Sequence, residues 1–250
     1  MASFDIVICV GPNDAPLVKA QLEFTKKNIK GYRTIFLVYG PVKVEFPGCV
    51  CISESIFPFS KDEIETYIHD KKRCGWYLQQ LIKLYAGFVL PDILNKWLVI
   101  DADSFFLKPV SFFEDGKSLL NFGSEYHRPY FEHMKRLHPT LHRMNPALSG
   151  ITHHMLFDKE IIDALFNMVS EYNKKPFFQA FLSCIDPAHF SKSGASEYEI
   201  YFNFALKHFP QKVLVRGLNW SNQRTLNTSL NYDYIACHWY DRIVPDLELE

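Results

Sequence analysis

Asp101 and Asp103 stand one residue apart at the end of the aliphatic run Leu98-Val99-Ile100. Two carboxylates at i and i+2, where a strand gives way to a turn, can converge on one hard divalent cation, Mn2+ or Mg2+, which keeps open positions for diphosphate oxygens. The same pair also suits a plain strand end and turn, where Asp is common. Other positions carry groups of the right type. Glu197 follows the Gly/Ser stretch Ser193-Gly194-Ala195-Ser196, from which a carboxylate can face a cleft. Ser196 is a helix cap, and Glu199 in the first turn is read as a partner of the helix dipole. His238 closes the strand-like run Tyr234-Ile235-Ala236-Cys237, and an imidazole there can complete a cation site begun by carboxylates. Trp76, Gln79, Gln80 and Lys83 fall at i, i+3, i+4 and i+7 on one helical face, with Arg73 just before them. Gln and Lys on a helix usually mark a solvated face, but Trp76 and Arg73 favour a stripe turned toward a ligand.

These groups need a frame. Asp5 to Val10 reads as a buried strand, Gly11-Pro12-Asn13-Asp14 as a loop, Ala15 to Asn28 as a helix and Thr34 to Tyr39 as a second strand. Such a β-α-β unit implies parallel strands and a right-handed crossover. The predicted class is therefore α/β, with a mostly parallel central sheet flanked by helices on both faces and a Rossmann-like N-terminal half. Ligands of open α/β sheets bind at the carboxyl ends of the strands, where both the first loop and the Asp pair lie. The loop has neither a Gly-x-Gly-x-x-Gly fingerprint nor a P-loop, so dinucleotide and P-loop chemistry lose ground. Cys49 to Ile52 is a possible third strand, and Ser60 with Glu63 opens a helix as a capping box. Leu78, Leu81, Ile82 and Tyr85 form the core face of the following helix.

Beyond the Asp pair, Leu119 to Gly123 suggests a strand. Tyr126 to Arg143 follows, with His127, His133, His138 and His142 at spacings that fit no metal motif. Pro129 and Pro139 make it a surface insertion of loop or short helices, available for acceptor contacts. Gly150 lets a backbone approach a ligand, or simply turns the chain. A helix then runs from Lys159 to about Tyr172.

Composition narrows the class further. The chain has 250 residues, enough for one domain with a sizeable core, and its 27 Lys+Arg against 28 Asp+Glu offers no field for nucleic acid. Aromatic residues at 16% suit a large core and a ring-lined cleft. The six scattered cysteines read as thiols in a reducing, cytoplasmic setting rather than as disulfides or a zinc site. Ala2 to Val7 has no basic leader, and no uncharged run approaches the roughly 18 residues of a membrane span. Asn219-Trp220-Ser221 and Asn227-Thr228-Ser229 are then chance glycosylation triplets, and Leu249-Glu250 is set aside as a cloning scar.

The ordered set Gly75-Trp76-Tyr77-x-Gln79-Gln80-x-x-Lys83-Leu84, Asp101-Ala102-Asp103, Gly150 to Phe157 and Ser196-Glu197-Tyr198 resembles small GT-A-fold glycosyltransferases of bacteria and large DNA viruses. The resemblance covers most of the chain and thins between Tyr126 and Arg143 and at the C-terminus. It implies one GT-A-like domain over residues 1–250, with a nucleotide-binding half to about 105 and an acceptor half from about 106. It implies transfer of a sugar from a nucleotide-sugar, a UDP-sugar foremost, to a hydroxyl acceptor such as a glycan. Asp101 becomes a ribose or metal contact, Asp103 a metal ligand and His238 a third ligand, while Gly11, Asn13, Arg73, Gln80, Lys83 and Gly150 fall to the donor. Glu197, 197 − 103 = 94 residues after Asp103, matches the general base of an inverting enzyme. Two other readings stay open: a metal-dependent nucleotidyltransferase or pyrophosphorylase, which should carry a glycine-rich basic signature after the first strand, and a non-catalytic carbohydrate-binding domain, which needs no metal.

Overall fold

The computed structural model describes residues 4–243; Leu249-Glu250 lies outside them. β1 (Phe4–Val10) is buried along its whole length, as a strand between two parallel neighbours must be. α1 (Val18–Asn28), after a single 3-10 turn, leads to β2 (Tyr32–Tyr39), and β3 (Val50–Ser53) follows. α2 (Lys61–Ile68) starts at Ser60, whose hydroxyl accepts from the Glu63 amide at 3.1 Å. α3 (Lys71–Val89) then runs into β4 (Lys96–Ile100). β5 (Ser104–Phe106), β6 (Phe113–Glu114), β7 (Lys117–Asn121), α4 (Arg128–Leu137) and β8 (His154–Asp158) come next. The chain continues through α5 (Lys159–Asn173), α6 (Phe177–Ser183), α7 (Glu197–His208), β9 (Val213–Arg216), β10 (Trp220–Asn222) and β11 (Tyr234–Ala236).

The central sheet has the order β3-β2-β1-β4-β8. Its first four strands are mutually parallel, and β8 runs antiparallel to β4. Side-chain alternation divides two apolar layers across it. Val7, Cys9, Phe36, Val38, Trp97 and Val99 face the layer formed with α2, α3, α5, α6 and α7. Ile6, Ile8, Val10, Ile35, Leu37, Leu98 and Ile100 face the layer with α1, Phe106 and Tyr234. The expectation of a mostly parallel sheet with helices on both faces therefore holds. Among the described residues no helix is long and apolar enough to cross a membrane. All six cysteines are free, with Cys9, Cys74 and Cys237 buried.

Two contacts fix how α3 lies on β4. A Cβ on Gly87 would stand 2.1 Å from the Trp97 ring, so a larger residue would push the helix off the strand. The indole Nε1 of Trp97 donates to the Lys83 carbonyl at 2.9 Å, which sets the part of α3 that faces the sheet's carboxyl end.

Four expectations need correction. Gln80 and Lys83, expected on a stripe turned toward a ligand, are buried where α7 packs on α3. The span Tyr126 to Arg143 is not a mere surface insertion, because α4 buries Phe131, His133, Met134 and Leu137 against the core. Pro129 sits in the first turn of α4, where its missing amide proton does no harm. The last strand ends at Ala236 rather than at His238, which lies in the following turn. Two three-stranded sheets, β10-β11-β5 and β6-β7-β9, were not anticipated, since strands of two to five residues leave little periodicity to read.

Buried His133 makes stability depend on pH. Its ring nitrogen meets the Phe181 carbonyl at 2.8 Å, but burial outweighs that bond and pushes the imidazole down to about 4. Between its ordinary 6.5 and about 4 the unfolded chain binds the proton and the folded one does not, so stability falls as pH falls through that window. The full effect is about 3 kcal/mol. His154, pushed by burial down to about 3, acts in the same sense. Urea unfolding at pH 7.5 and pH 5 should show the loss, and His133→Phe should reduce the difference between the two pH values whatever it does to the baseline. An undiminished difference would assign the acid limb to other groups.

Candidate functional site

The Asp pair sits where β4 stops. The Asp101 amide donates to the His153 carbonyl at 2.9 Å, and the Ser104 amide returns to the Asp101 carbonyl at 2.9 Å, closing a tight turn. The Asp103 carbonyl accepts from the Cys237 amide at 2.8 Å. The start of β8 and the end of β11 thus clasp both carboxylates at the carboxyl end of the sheet.

Lys83 joins this turn to α7. Its ammonium lies 2.7 Å from Asp101 Oδ1 and 2.7 Å from Glu197 Oε1, with Lys83 and Glu197 both buried. The Tyr198 hydroxyl donates to Asp101 Oδ1 at 2.8 Å, and Lys83 Nζ stands 4.6 Å from the centre of the Tyr198 ring. One cation serving two carboxylates divides them. Burial disfavours ionised Asp101, but Lys83 and His153 outweigh it and hold the carboxyl well below the usual range. At Glu197 burial wins over Lys83, and the carboxyl is raised. Burial likewise opposes the charge on Lys83, yet Asp101 and Glu197 raise it well above an ordinary lysine.

A second group surrounds Asp103. Its Oδ2 lies 2.9 Å from His238 Nδ1, and the His238 ring stacks on Tyr240 with centroids 5.3 Å apart. Burial lowers the His238 imidazole, but Asp103 more than compensates and the net shift is upward. His153 packs edge-on against the His238 ring at 4.9 Å and presents Nδ1 at 3.7 Å to Asp101 Oδ2. Arg242 bridges from beyond His238 to Asp14 Oδ1 at 2.9 Å, tying the chain after β11 to the loop after β1.

A divalent cation can be tested against these donors. Asp103 Oδ2 and His238 Nδ1, 2.9 Å apart, are hydrogen-bonded to each other, so a cation held by both would take the place of the shared proton. A carboxylate and an imidazole are donor types that suit Mn2+. Asp101 Oδ1 is committed to Lys83 and Tyr198, while its Oδ2 stands 3.7 Å from His153 Nδ1. No group of three or more His, Cys, Asp or Glu side chains suited to a metal occurs among the described residues. Of the expected set Asp101, Asp103 and His238, the last two are in direct contact.

The other expected residues divide. Gln80 Oε1 accepts from the Glu197 amide at 3.1 Å, so Gln80 caps α7, while its buried Nε2 has no partner. Arg73 donates to the Lys192 carbonyl and the Ser193 hydroxyl at 3.0 and 3.2 Å and lies over Trp76, fastening the loop before α7. Asn13 is exposed and its carbonyl accepts from Arg242. At Gly11 a Cβ would meet only ordinary contacts at 3.9 Å, so packing gives no reason for glycine there. Gly150 is the reverse: a Cβ would stand 2.6 Å from Phe202 Cβ and 2.7 Å from the Tyr198 carbonyl. Its close approach is to α7, and that packing by itself requires glycine at this position.

His153 and Tyr198 were missed. His153 holds a left-handed backbone with φ 60°, and its buried Nε2 has no partner. Strain of this kind gathers at functional sites, but nothing in the spacing ties residue 153 to Asp101. Tyr198 follows Glu197 in the chain, but its hydroxyl reaches Asp101 only through the packing of α7 on the end of β4.

The cluster generates a stability test. Removing one member of a buried ion pair typically costs about 3–5 kcal/mol, because the partner charge is left unpaired. Lys83→Met should lower the urea unfolding free energy at pH 7 by that order, and adding Glu197→Gln should recover part of it. A loss under about 1 kcal/mol would show a solvated, weakly coupled cluster.

The profile of a family of unknown function, DUF6492, matches residues 39–226. A comparison with curated proteins returns no match. Among solved structures, apo mouse xyloside xylosyltransferase 1 aligns with a TM-score of 0.49 at 10% identity, covering 96% of this chain and 99% of that one. With three quarters of its length inside the family profile, the chain belongs to DUF6492.

Proposed function

We propose that this protein is a metal-dependent glycosyltransferase that moves a sugar from a nucleotide-sugar, a UDP-sugar foremost, to a hydroxyl acceptor. The observation that carries the reading is the cluster of acidic and imidazole side chains at the carboxyl end of β4, where Asp103 is hydrogen-bonded to His238 at 2.9 Å and Lys83 joins Asp101 to Glu197. The ordered motifs that resemble GT-A enzymes support it. The proposal takes the chain as one GT-A-like domain, with the nucleotide half to about residue 105 and the acceptor half beyond it.

Asp103 and His238 would hold Mn2+ or Mg2+, with the remaining positions left to diphosphate oxygens. When bound, such a cation acts as a Lewis acid toward the departing diphosphate. The protein's own groups account for the rest. Asp101, fixed by Lys83 and Tyr198, takes the ribose side of the donor, and Gly11 and Asn13 line the loop beside it. Lys83, Gln80 and Arg73 act on the donor indirectly, by holding Asp101 and the entry to α7. Glu197 is the proposed base: its Oε1 is fixed by Lys83, and burial raises its carboxyl, which suits acceptance of a hydroxyl proton. Inversion at the anomeric carbon is the outcome this role requires.

Calorimetric titration with UDP and Mn2+ tests the donor side. Asp103→Asn should abolish metal-dependent binding with little change in melting temperature, and His238→Ala should weaken metal affinity more than folding. UDP binding by Asp103→Asn equal to wild type would remove the central assignment. Release of UDP from a panel of UDP-sugars separates the enzyme from a carbohydrate-binding domain, whereas pyrophosphate release from UTP and a sugar phosphate would favour a nucleotidyltransferase.

Glu197→Gln tests the base. Turnover should fall by roughly 10²-fold or more while UDP affinity holds. Retention of configuration in the product, read by NMR, or near-normal turnover of the variant would leave Glu197 as a binding or structural carboxylate.

A further inference from the structure

The loop Gly123 to His127 joins the two sides of the proposed transfer site. At its start Gly123 exchanges backbone hydrogen bonds with Ser149 at 2.8 and 2.9 Å. A Cβ there would lie 3.9 Å from Trp220, whose ring meets His153 edge-on at 5.0 Å. At its end His127 Nε2 contacts the Ser193 carbonyl at 2.8 Å, in the segment that leads into Glu197. The loop therefore borders both the Asp101 side and the Glu197 side.

Between these anchors Tyr126 is 65% exposed and yet held in place. Its ring stacks on Phe131 with centroids 5.3 Å apart and planes 15° apart. The Arg143 guanidinium lies 5.2 Å from the Tyr126 ring and 5.1 Å from the Phe131 ring, and Arg143 is itself fixed by the Leu148 carbonyl at 3.0 Å. Glu125, next in the loop, is exposed and forms no ion pair among the described residues. A single exposed aromatic residue needs no explanation. A ring held by Phe131 and Arg143, next to an exposed carboxylate and in a loop anchored to Ser149 and Ser193, is a different arrangement.

We propose that Tyr126 and Glu125 form the acceptor platform of this site and take a pyranose sugar, its C–H face on the tyrosine ring and its hydroxyls donating to the carboxylate. The inference rests on the glycosyl-transfer reading and narrows its acceptor from any hydroxyl compound to a carbohydrate. The chemistry matches on both counts. The negative face of an aromatic ring attracts the weakly positive C–H face of a pyranose, and an ionised carboxylate accepts from two hydroxyls at once. A serine or threonine hydroxyl on a peptide offers no such face.

Saturation-transfer NMR with the methyl α- and β-pyranosides of glucose, galactose and mannose tests the platform, with and without UDP and Mn2+. At least one glycoside should receive saturation chiefly on the hydrogens of one face. Tyr126→Ala should reduce that signal by roughly fivefold or more, Tyr126→Phe should retain it and Glu125→Gln should weaken it. If Tyr126→Ala fails to fold, the Phe and Gln variants still decide. Absence of saturation with every glycoside, or a signal indifferent to these substitutions, overturns the proposal. The wild-type UDP titration keeps the two readings apart: UDP binding without a Tyr126-dependent signal removes the platform alone, and the signal without UDP binding removes glycosyl transfer alone.

Discussion

The position of Lys83 between Asp101 and Glu197 is the constraint on which the rest of this molecule turns. A buried ammonium is tolerated only when paired, and here the two partners come from a strand end and a helix start that are 197 − 101 = 96 residues apart in the chain. The pairing therefore welds β4 to α7. Trp97 and Gly87 prepare it by seating α3 close on β4, with the indole bonded to the very residue that carries the ammonium. Gln80, one turn earlier on α3, receives the first amide of α7. Two side chains of one helix, Gln80 and Lys83, thus decide where a carboxylate on another helix stands.

This weld also sorts the carboxylates by role. Asp101 is fixed and ionised by Lys83 and His153, Glu197 is raised by burial, and Asp103 is left to His238. Three acids on one end of a sheet would otherwise repel one another. Lys83 draws in Asp101 and Glu197 together, lowering the first while burial raises the second, and His238 takes Asp103. The proposed division into a ribose contact, a cation ligand and a base follows from that separation rather than from any intrinsic difference between the groups.

The elements around the cleft are tied more lightly. Arg242 reaches Asp14 across the loop after β1, and Arg73, Tyr77 and His127 hold the Ser193 loop through one or two hydrogen bonds each. Side chains that grip loops by one or two bonds leave those loops room to adjust to a ligand, whereas the Lys83 cluster beneath them is held by buried charge.

The sequence alone determined the central β-α-β unit, the buried run of β4 ending on Asp101, and the Ser60 and Ser196 helix caps, because these depend on local periodicity and on hydrogen bonds within a few residues. It also marked Asp103, Lys83, Glu197 and His238 as chemically notable. Tertiary structure alone decided what those groups do to one another. Lys83 lay on a helical face that periodicity assigns to solvent or ligand, and only the packing of α7 made it a buried counter-ion. Gly150 read as a loop glycine near a ligand, but the clash that forbids a side chain comes from α7, some fifty residues on. His153 carried no signal at all, since its nearness to Asp101 arises from the antiparallel pairing of β4 with β8. Distances between charges that are a hundred residues apart are set by which elements pack, and a one-dimensional pattern of hydrophobic and polar residues does not contain them.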